Sequence, residues 1–352
     1  MATGPGTVLI NTLGVIAGAL GIFGFMQNQV DRAGKDDLVF SFKIGLDGAH
    51  GPGTPPLTEA GGNLPDIRVF DNQGNFLGMA TNDRNKCESG EDNCLAKVPG
   101  PIKQQPSYAL FTANDDALCV AWASVTYPGG DKYGWVGNWA KECNAPWYYS
   151  DIDVQTSNGS DKLFCAWMDS NGDQPTTGIQ IHWPEFHEGF KGNGNDPKFY
   201  CQDNPALRFI KDKDPHGITF WTKKRDLFAI NPSTAISELA PPVNRERDVE
   251  RIKRTLANDN RLIRSGHAGH SAKELCESKN SVGPSFVSQS ERAFCHMPDK
   301  KLYQFCDDIQ SGTCWDDKEQ KLSSKGAKGQ AAGLASVPEV KFDKAIAWGV
   351  SK

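Results

Sequence analysis

The densest run of side chains able to move a proton is His182-Trp183-Pro184-Glu185-Phe186-His187-Glu188. A His182/Glu185 pair could do acid–base work in a hydrolase, and His182 with His187 could hold a metal ion. Pro184 bars the helix on which an H-E-x-x-H zinc site is built, and the sequence offers no evident third ligand. Asp151 is a further carboxylate that such a hydrolase could use. Asp169-Ser170-Asn171-Gly172-Asp173 sets oxygens at alternate positions, as the start of a calcium loop does, with Asp169, Asn171 and Asp173 as ligands. The twelfth position, where an EF-hand needs a bidentate Glu, is Gln180, so a plain strand-connecting turn is the first reading. No cofactor is called for; calcium is the one ion this loop could take. His267, His270 and Cys276 could suggest a Cys–His nucleophile or a zinc site, and both ideas fail if Cys276 is in a disulfide. No GxSxG, phosphate-binding loop or dinucleotide fingerprint is present.

Binding chemistry has its own candidates. Trp135, Trp139, Trp147 and Tyr148 could form a platform for stacking sugar rings if their faces reach solvent. Alternation puts Trp135 and Trp139 on the same side of one strand. Core packing is the first account of most of these rings, since a buried aromatic brings much area at low side-chain entropy.

The elements that must position these groups read as short strands. Alternation and turn residues predict strands at 38–46, 67–70, 75–80, 108–112, 118–127, 133–139, 147–154, 163–168 and 178–183. Residues 71–74 read as a hairpin turn, and residues 86–105 as a loop holding Cys87 and Cys94. The pattern favours a mainly β fold, a disulfide-stabilised, jelly-roll-like β-sandwich, over a parallel α/β sheet. After residue 187 the chain reads as a disulfide-rich α+β extension (188–319). There Glu246 to Ala257 has helical periodicity, and Ser271-Ala272-Lys273-Glu274 fits a capping box opening a helix that contains Cys276. Arg292 to Cys306 reads as helical or irregular. Residues 320–352 form a flexible tail with a last strand over Val340 to Trp348.

Ten cysteines, Cys87, Cys94, Cys119, Cys143, Cys165, Cys201, Cys276, Cys295, Cys306 and Cys314, include no CxxC pair, which favours disulfides over zinc. Disulfides in turn favour an oxidising compartment and an extracellular or cell-surface location. The nearest local pairings are Cys87–Cys94 and a cluster among the last four cysteines. The sequon at Asn158 agrees with secretion and glycosylation. The net charge of −5, with both signs interspersed, shows no electrostatic footprint for nucleic acid.

No charged side chain precedes Asp31, and residues 8–26 are apolar apart from Asn11 and Thr12. Gly14, Ala17, Gly18, Gly21 and Gly24 put small residues along this stretch, with a GxxxG spacing that lets helix backbones approach closely. The segment 1–30 is expected to be an apolar helix that anchors the protein in a membrane or drives homo-oligomerisation. The lack of a basic residue before it favours retention over cleavage as a signal peptide. Arg32 and Lys35 would favour a cytoplasmic side for the rest of the chain, against the disulfides. The β-sandwich (37–187) would be the domain this helix displays.

The segments GWVGNWAKECNAPWYYSD (134–151) and DSNGDQPTTGIQIHWPEF (169–186), with the later HSAKELCESKNSVGPSFV and AFCHMPDKKLYQFC, resemble a family of filamentous-fungal proteins. The resemblance runs from about Leu38 to Cys314, in the spacing of Trp and Cys. It implies a fungal, secreted or cell-surface β domain and no activity. The function expected from the sequence is therefore a non-enzymatic structural protein that self-assembles or is membrane-anchored through its N-terminal helix. Two alternatives stand beside it: a lectin-like module binding carbohydrate, such as cell-wall polysaccharide, and a hydrolase with a His182/Glu185 site.

Overall fold

A computed structural model of the chain describes residues 36–45, 60–91, 94–102, 104–156, 159–172, 174–186, 197–203, 206–220, 260–326 and 340–349. They fall into two compact units, 36–220 and 260–349. The protein is mainly β and carries five disulfides, Cys87–Cys94, Cys119–Cys165, Cys143–Cys201, Cys276–Cys295 and Cys306–Cys314.

The first unit contains β1 (Leu38–Ile44), β2 (Gly62–Asn63), β3 (Asp66–Phe70), β4 (Phe76–Ala80), β5 (Lys86–Cys87), β6 (Cys94–Val98) and β7 (Tyr108–Thr112). It continues with β8 (Leu118–Thr126), β9 (Lys132–Val136), helix α1 (Asn138–Glu142), β10 (Trp147–Thr156), β11 (Gly159–Met168), β12 (Gly178–His182) and β13 (Leu207–Ile210). One open antiparallel sheet runs β10-β11-β8-β1-β6, with β9 also on β8; a second runs β13-β12-β7-β3-β4. β8 is buried along all nine of its residues, which is why it reads as a near-continuous apolar run rather than as alternation. Aromatic rings of β1 meet the second sheet: Phe40 and Phe42 pack on Phe111 of β7 at 5.9 and 5.1 Å. Such edge-on contacts add about 0.5–1.5 kcal/mol each to the area they bury.

The second unit contains β14 (Arg261–Ser265), α2 (Ala272–Glu277), β15 (Ser285–Ser288), β16 (Ala293–His296), β17 (Lys301–Gln304), β18 (Gly312–Asp316), β19 (Lys321–Lys325) and β20 (Lys344–Trp348). Its sheet runs β17-β16-β15-β14-β20, and β14 is parallel to both β15 and β20. A parallel pair needs a crossover, and α2 lies within the one joining β14 to β15. Ser271 Oγ accepts the Glu274 N–H at 3.0 Å, the cap expected from the sequence. The core forms around Phe294, stacked on Trp315 at 4.1 Å, with Leu262 and Val287.

Several expectations are corrected. The N-terminal segment with Gly14, Ala17, Gly18, Gly21 and Gly24 lies outside the described residues. Among the described residues no helix is long and apolar enough to cross a membrane; α1 and α2 have five and six residues. The anchoring or assembling helix is accordingly set aside as the basis of function. Residues 133–139 are not one strand: β9 stops at Val136, and Trp139 lies on α1. The break comes at Gly137, where a Cβ would stand 2.6 Å from the carbonyl oxygens of Val120 and Phe164. The supposed loop 86–105 contains β6, which pairs with β1. Residues 292–306 form the β16–β17 hairpin rather than a helix. The residues 246–257 read as helical lie outside the described residues.

Candidate functional site

The hairpin turn between β3 and β4 is built around one carboxylate. Asp71 Oδ1 accepts the Gln73 and Asn75 N–H groups at 2.8 and 2.9 Å, and Oδ2 accepts from the Asn75 and Gln104 side-chain amides at 2.8 and 2.7 Å. Burial works to raise the Asp71 carboxyl. Hydrogen bonds from Asn75, Gln73 and Gln104 outweigh that effect and hold it below its ordinary value. An Asp that ties its own turn in this way is the expected chemistry of a tight loop. Here the same residue also fixes Gln104, at the start of the segment leading into β7.

These two loops form part of one cavity. A pocket of about 320 Å³ is lined by Asn72 of the turn, Gln105, Pro106 and Ser107 before β7, Tyr127 and Tyr133 of the β8–β9 hairpin, and Trp183 and Pro184 after β12. Tyr127 donates its hydroxyl to Pro106 O at 2.6 Å, and burial, with Tyr133 and Asp131 adding to it, pushes its phenol up, so it stays a neutral donor. Its ring meets Tyr133 edge-on at 5.4 Å. The Ser107 backbone is spent in the sheet, its N–H on Phe70 O and its carbonyl accepting from Trp183 N. The Ser107 hydroxyl is different: it is buried and has no hydrogen-bond partner among the described residues.

His182 stands behind this wall. Its Nδ1 faces the Glu185 carboxylate, its Nε2 lies 3.0 Å from Asn72 Oδ1, and its ring lies 4.1 Å from that of Tyr108. His182 and Glu185 are both buried. Glu185 is carried on a single 3-10 turn, Trp183–Phe186, which Trp139 braces: its ring meets Phe186 at 6.1 Å and Tyr200 at 4.4 Å. The disulfide Cys143–Cys201 ties the end of α1 to the segment carrying Tyr200. Burial, with Glu185 adding to it, pushes the Tyr200 phenol up to about 12.

The sequence-predicted residues divide sharply. His182 and Glu185 are brought together as a pair. Asp151 is elsewhere, ion-paired to Lys162 at 3.0 Å, and is not among the pocket-lining residues. His187 lies outside the described residues. Trp135, Trp139, Trp147 and Tyr148 are all 2 % exposed or less, so none offers a face to a sugar. Asp169 is buried and its Oδ2 accepts the Gly172 N–H at 2.8 Å, while Asn171 donates to Asp115 O, as in a structural turn. Asp173 and Asn158 lie outside the described residues. Cys276 is in a disulfide, which removes the nucleophile and zinc ideas for His267 and His270. The close group Cys87, Glu91 and Cys94 likewise contains a disulfide rather than two thiolates.

Asn72, Gln105, Ser107, Tyr127 and Tyr133 were not singled out by sequence reasoning. They come from three places, the β3–β4 turn, the segment before β7 and the β8–β9 hairpin, and none carries a motif; the hairpin turn at 71–74 pointed towards Asn72. No protein-family model matches the chain, and no curated protein matches it.

Proposed function

We propose that the chain is an extracellular, lectin-like β-sandwich module whose pocket binds a polyhydroxylated ligand of the carbohydrate class. The single observation that carries this reading is Ser107, a buried hydroxyl on the wall of a cavity, unpartnered among the described residues. A buried polar group of this kind costs about 1–3 kcal/mol unless something bonds it. Around it stand the amides of Asn72 and Gln105 and the ring of Tyr133, a set that pairs hydroxyl donors and acceptors with an aromatic edge. The location rests on the five disulfides, and the resemblance to secreted fungal proteins agrees with it.

The hydrolase alternative is less well supported. Glu185 and Asn72 already occupy the two ring nitrogens of His182. The imidazole is better read as the post that holds Asn72 in place.

Titration calorimetry against a panel of mono- and oligosaccharides tests the proposal. Wild-type protein should bind at least one saccharide, and Ser107→Ala should weaken that binding about tenfold, or 1.4 kcal/mol. The same variant should leave the unliganded protein at least as stable by urea unfolding, with a gain of up to about 1–3 kcal/mol, because it removes a buried hydroxyl that has no internal partner among the described residues. Loss of stability with intact binding would make Ser107 a structural residue and end the proposal.

A further inference from the structure

We infer that the pocket is the first subsite of a longer groove, and that Phe220 and Phe76 stack on the next sugar units of an oligosaccharide; this deepening rests on the carbohydrate reading above. Four large apolar side chains are exposed among the described residues, and the two aromatic ones, Phe76 and Phe220, both belong to the β3–β4 turn region. Phe220 lies directly on Gly74: a Cβ there would stand 2.4 Å from the ring. Gly74 has φ of +79°, so this turn already favours glycine, and the missing side chain leaves the space that the ring fills. Phe76 follows two residues later and rests edge-on against Phe70 at 5.8 Å.

The distance to the pocket is short. Asn72, on the pocket wall, is two residues from Gly74, and two residues of chain span at most about 7 Å. That is close to the length of one sugar unit. A ligand seated against Ser107 and Asn72 would therefore leave over the turn beside which Phe76 and Phe220 lie.

Phe220 is also held in place before any ligand arrives. Gln180 of β12, fully buried, donates to Thr219 O at 2.6 Å and accepts Thr219 N–H at 2.8 Å, so its amide closes on the backbone beside Phe220 as a neighbouring strand would. The Arg208 guanidinium donates to the Thr219 hydroxyl as well. A pinned, exposed ring loses little entropy on binding, which is the condition for a useful stacking surface. Continuity with a polar pocket, rather than with an apolar cleft, is the argument for a saccharide over a protein segment on these rings.

The test is titration calorimetry with glucose, mannose and N-acetylglucosamine oligomers of one to five units. Affinity should rise at least tenfold from one unit to three in the wild type. Phe220→Ala and Phe220→Leu should both flatten this rise to under threefold while leaving the single-sugar affinity unchanged; Phe76→Ala should act in the same direction. Leu keeps the apolar surface and removes only the ring face, so a rise that survives Phe220→Leu means apolar docking and overturns the inference. Single sugars that bind without any gain on lengthening overturn the inference and leave the pocket proposal standing. No binding at any length overturns both.

Discussion

Two buried histidines, one in each unit, are held by different partners and surrounded differently. His182 is fixed by Glu185 and by Asn72, and Asn72 is exposed on the wall of a cavity. His270 has its Nδ1 2.9 Å from the Ser265 hydroxyl, itself fully buried, with the rings of His267, Trp348 and Phe286 at 5.2, 5.6 and 6.0 Å. In the second unit the polar chain ends inside the core, and Ser288 closes it by donating to His270 O. In the first unit the chain passes from buried carboxylate to imidazole to an amide that a ligand can reach. A histidine's neighbours matter less than where its last partner points.

The disulfides give the largest test of how differently the two units are held. Cys119–Cys165 closes 46 residues in the first unit, and Cys306–Cys314 closes 8 in the second. In the chain-entropy estimate their removal costs about 4 and about 2.5 kcal/mol respectively. Double Ala variants of each pair, compared by urea unfolding, should fall in that order; equal losses would mean that native packing, not loop closure, sets both.

The histidines come next. His270→Ala empties a packed site and leaves the Ser265 hydroxyl only the His267 N–H, which it accepts at 3.2 Å, so it should cost about 2–3 kcal/mol and leave saccharide affinity unchanged. His182→Gln should weaken saccharide binding about tenfold, because it releases Asn72, with a smaller loss of stability. If both variants lose only stability, the distinction between the two histidines collapses.

Rising pH should strengthen both units, over different windows. The folded Asp71 carboxyl lies below its ordinary 3.8, so its contribution is full above that pH and is lost as pH falls through the folded value. Amide shifts of Gln73 and Asn75 should follow that loss in wild-type protein and not in Asp71→Asn. In the second unit burial pushes the Lys300 ammonium from 10.5 down to about 7. The unfolded chain then binds more protons between about pH 7 and 10.5, so stability should rise with pH across that window, by at most about 1.4 kcal/mol per pH unit. The ammonium donates to Ser281 O at 2.7 Å, Ser281 Oγ at 2.6 Å and Leu275 O at 3.2 Å, which favour the charged form and reduce that slope. Lys300→Met should abolish the rise between pH 7 and 9, measured by urea midpoints.

Much of the first unit's fold is legible in the residues themselves. Strand-forming residues bounded by turn residues mark β1, β7, β10 and β12, a near-continuous apolar run marks β8, and the turn residues Asp71 to Gly74 mark the β3–β4 hairpin, because these signals are local. β6 escaped because five residues beside a proline-rich stretch carry too little periodicity, and its partner β1 stands far from it along the chain. The β16–β17 hairpin escaped for a related reason, since charged and polar residues on its exposed strand hide the alternation. The aromatic run around Trp135 and Trp139 shows the limit of pattern in another way. Its residue types suit a sugar platform, and only the packing of α1 against Phe186 and Tyr200 decides that Trp139 braces a site instead of forming it.

What the sequence determined by itself is the class of the molecule: ten cysteines with spacing suited to disulfides, short strands with turn chemistry between them, and a cap at Ser271. Each follows from interactions between neighbours along the chain. Only the tertiary structure decided where chemistry can occur. Asn72, Ser107, the Tyr127/Tyr133 hairpin and Trp183 are four separate stretches of sequence with no shared motif; they meet because β3, β7, β8, β9 and β12 end beside one another. Whether a hydroxyl is buried beside a cavity or spent on a neighbour is a property of that meeting, and no local pattern encodes it.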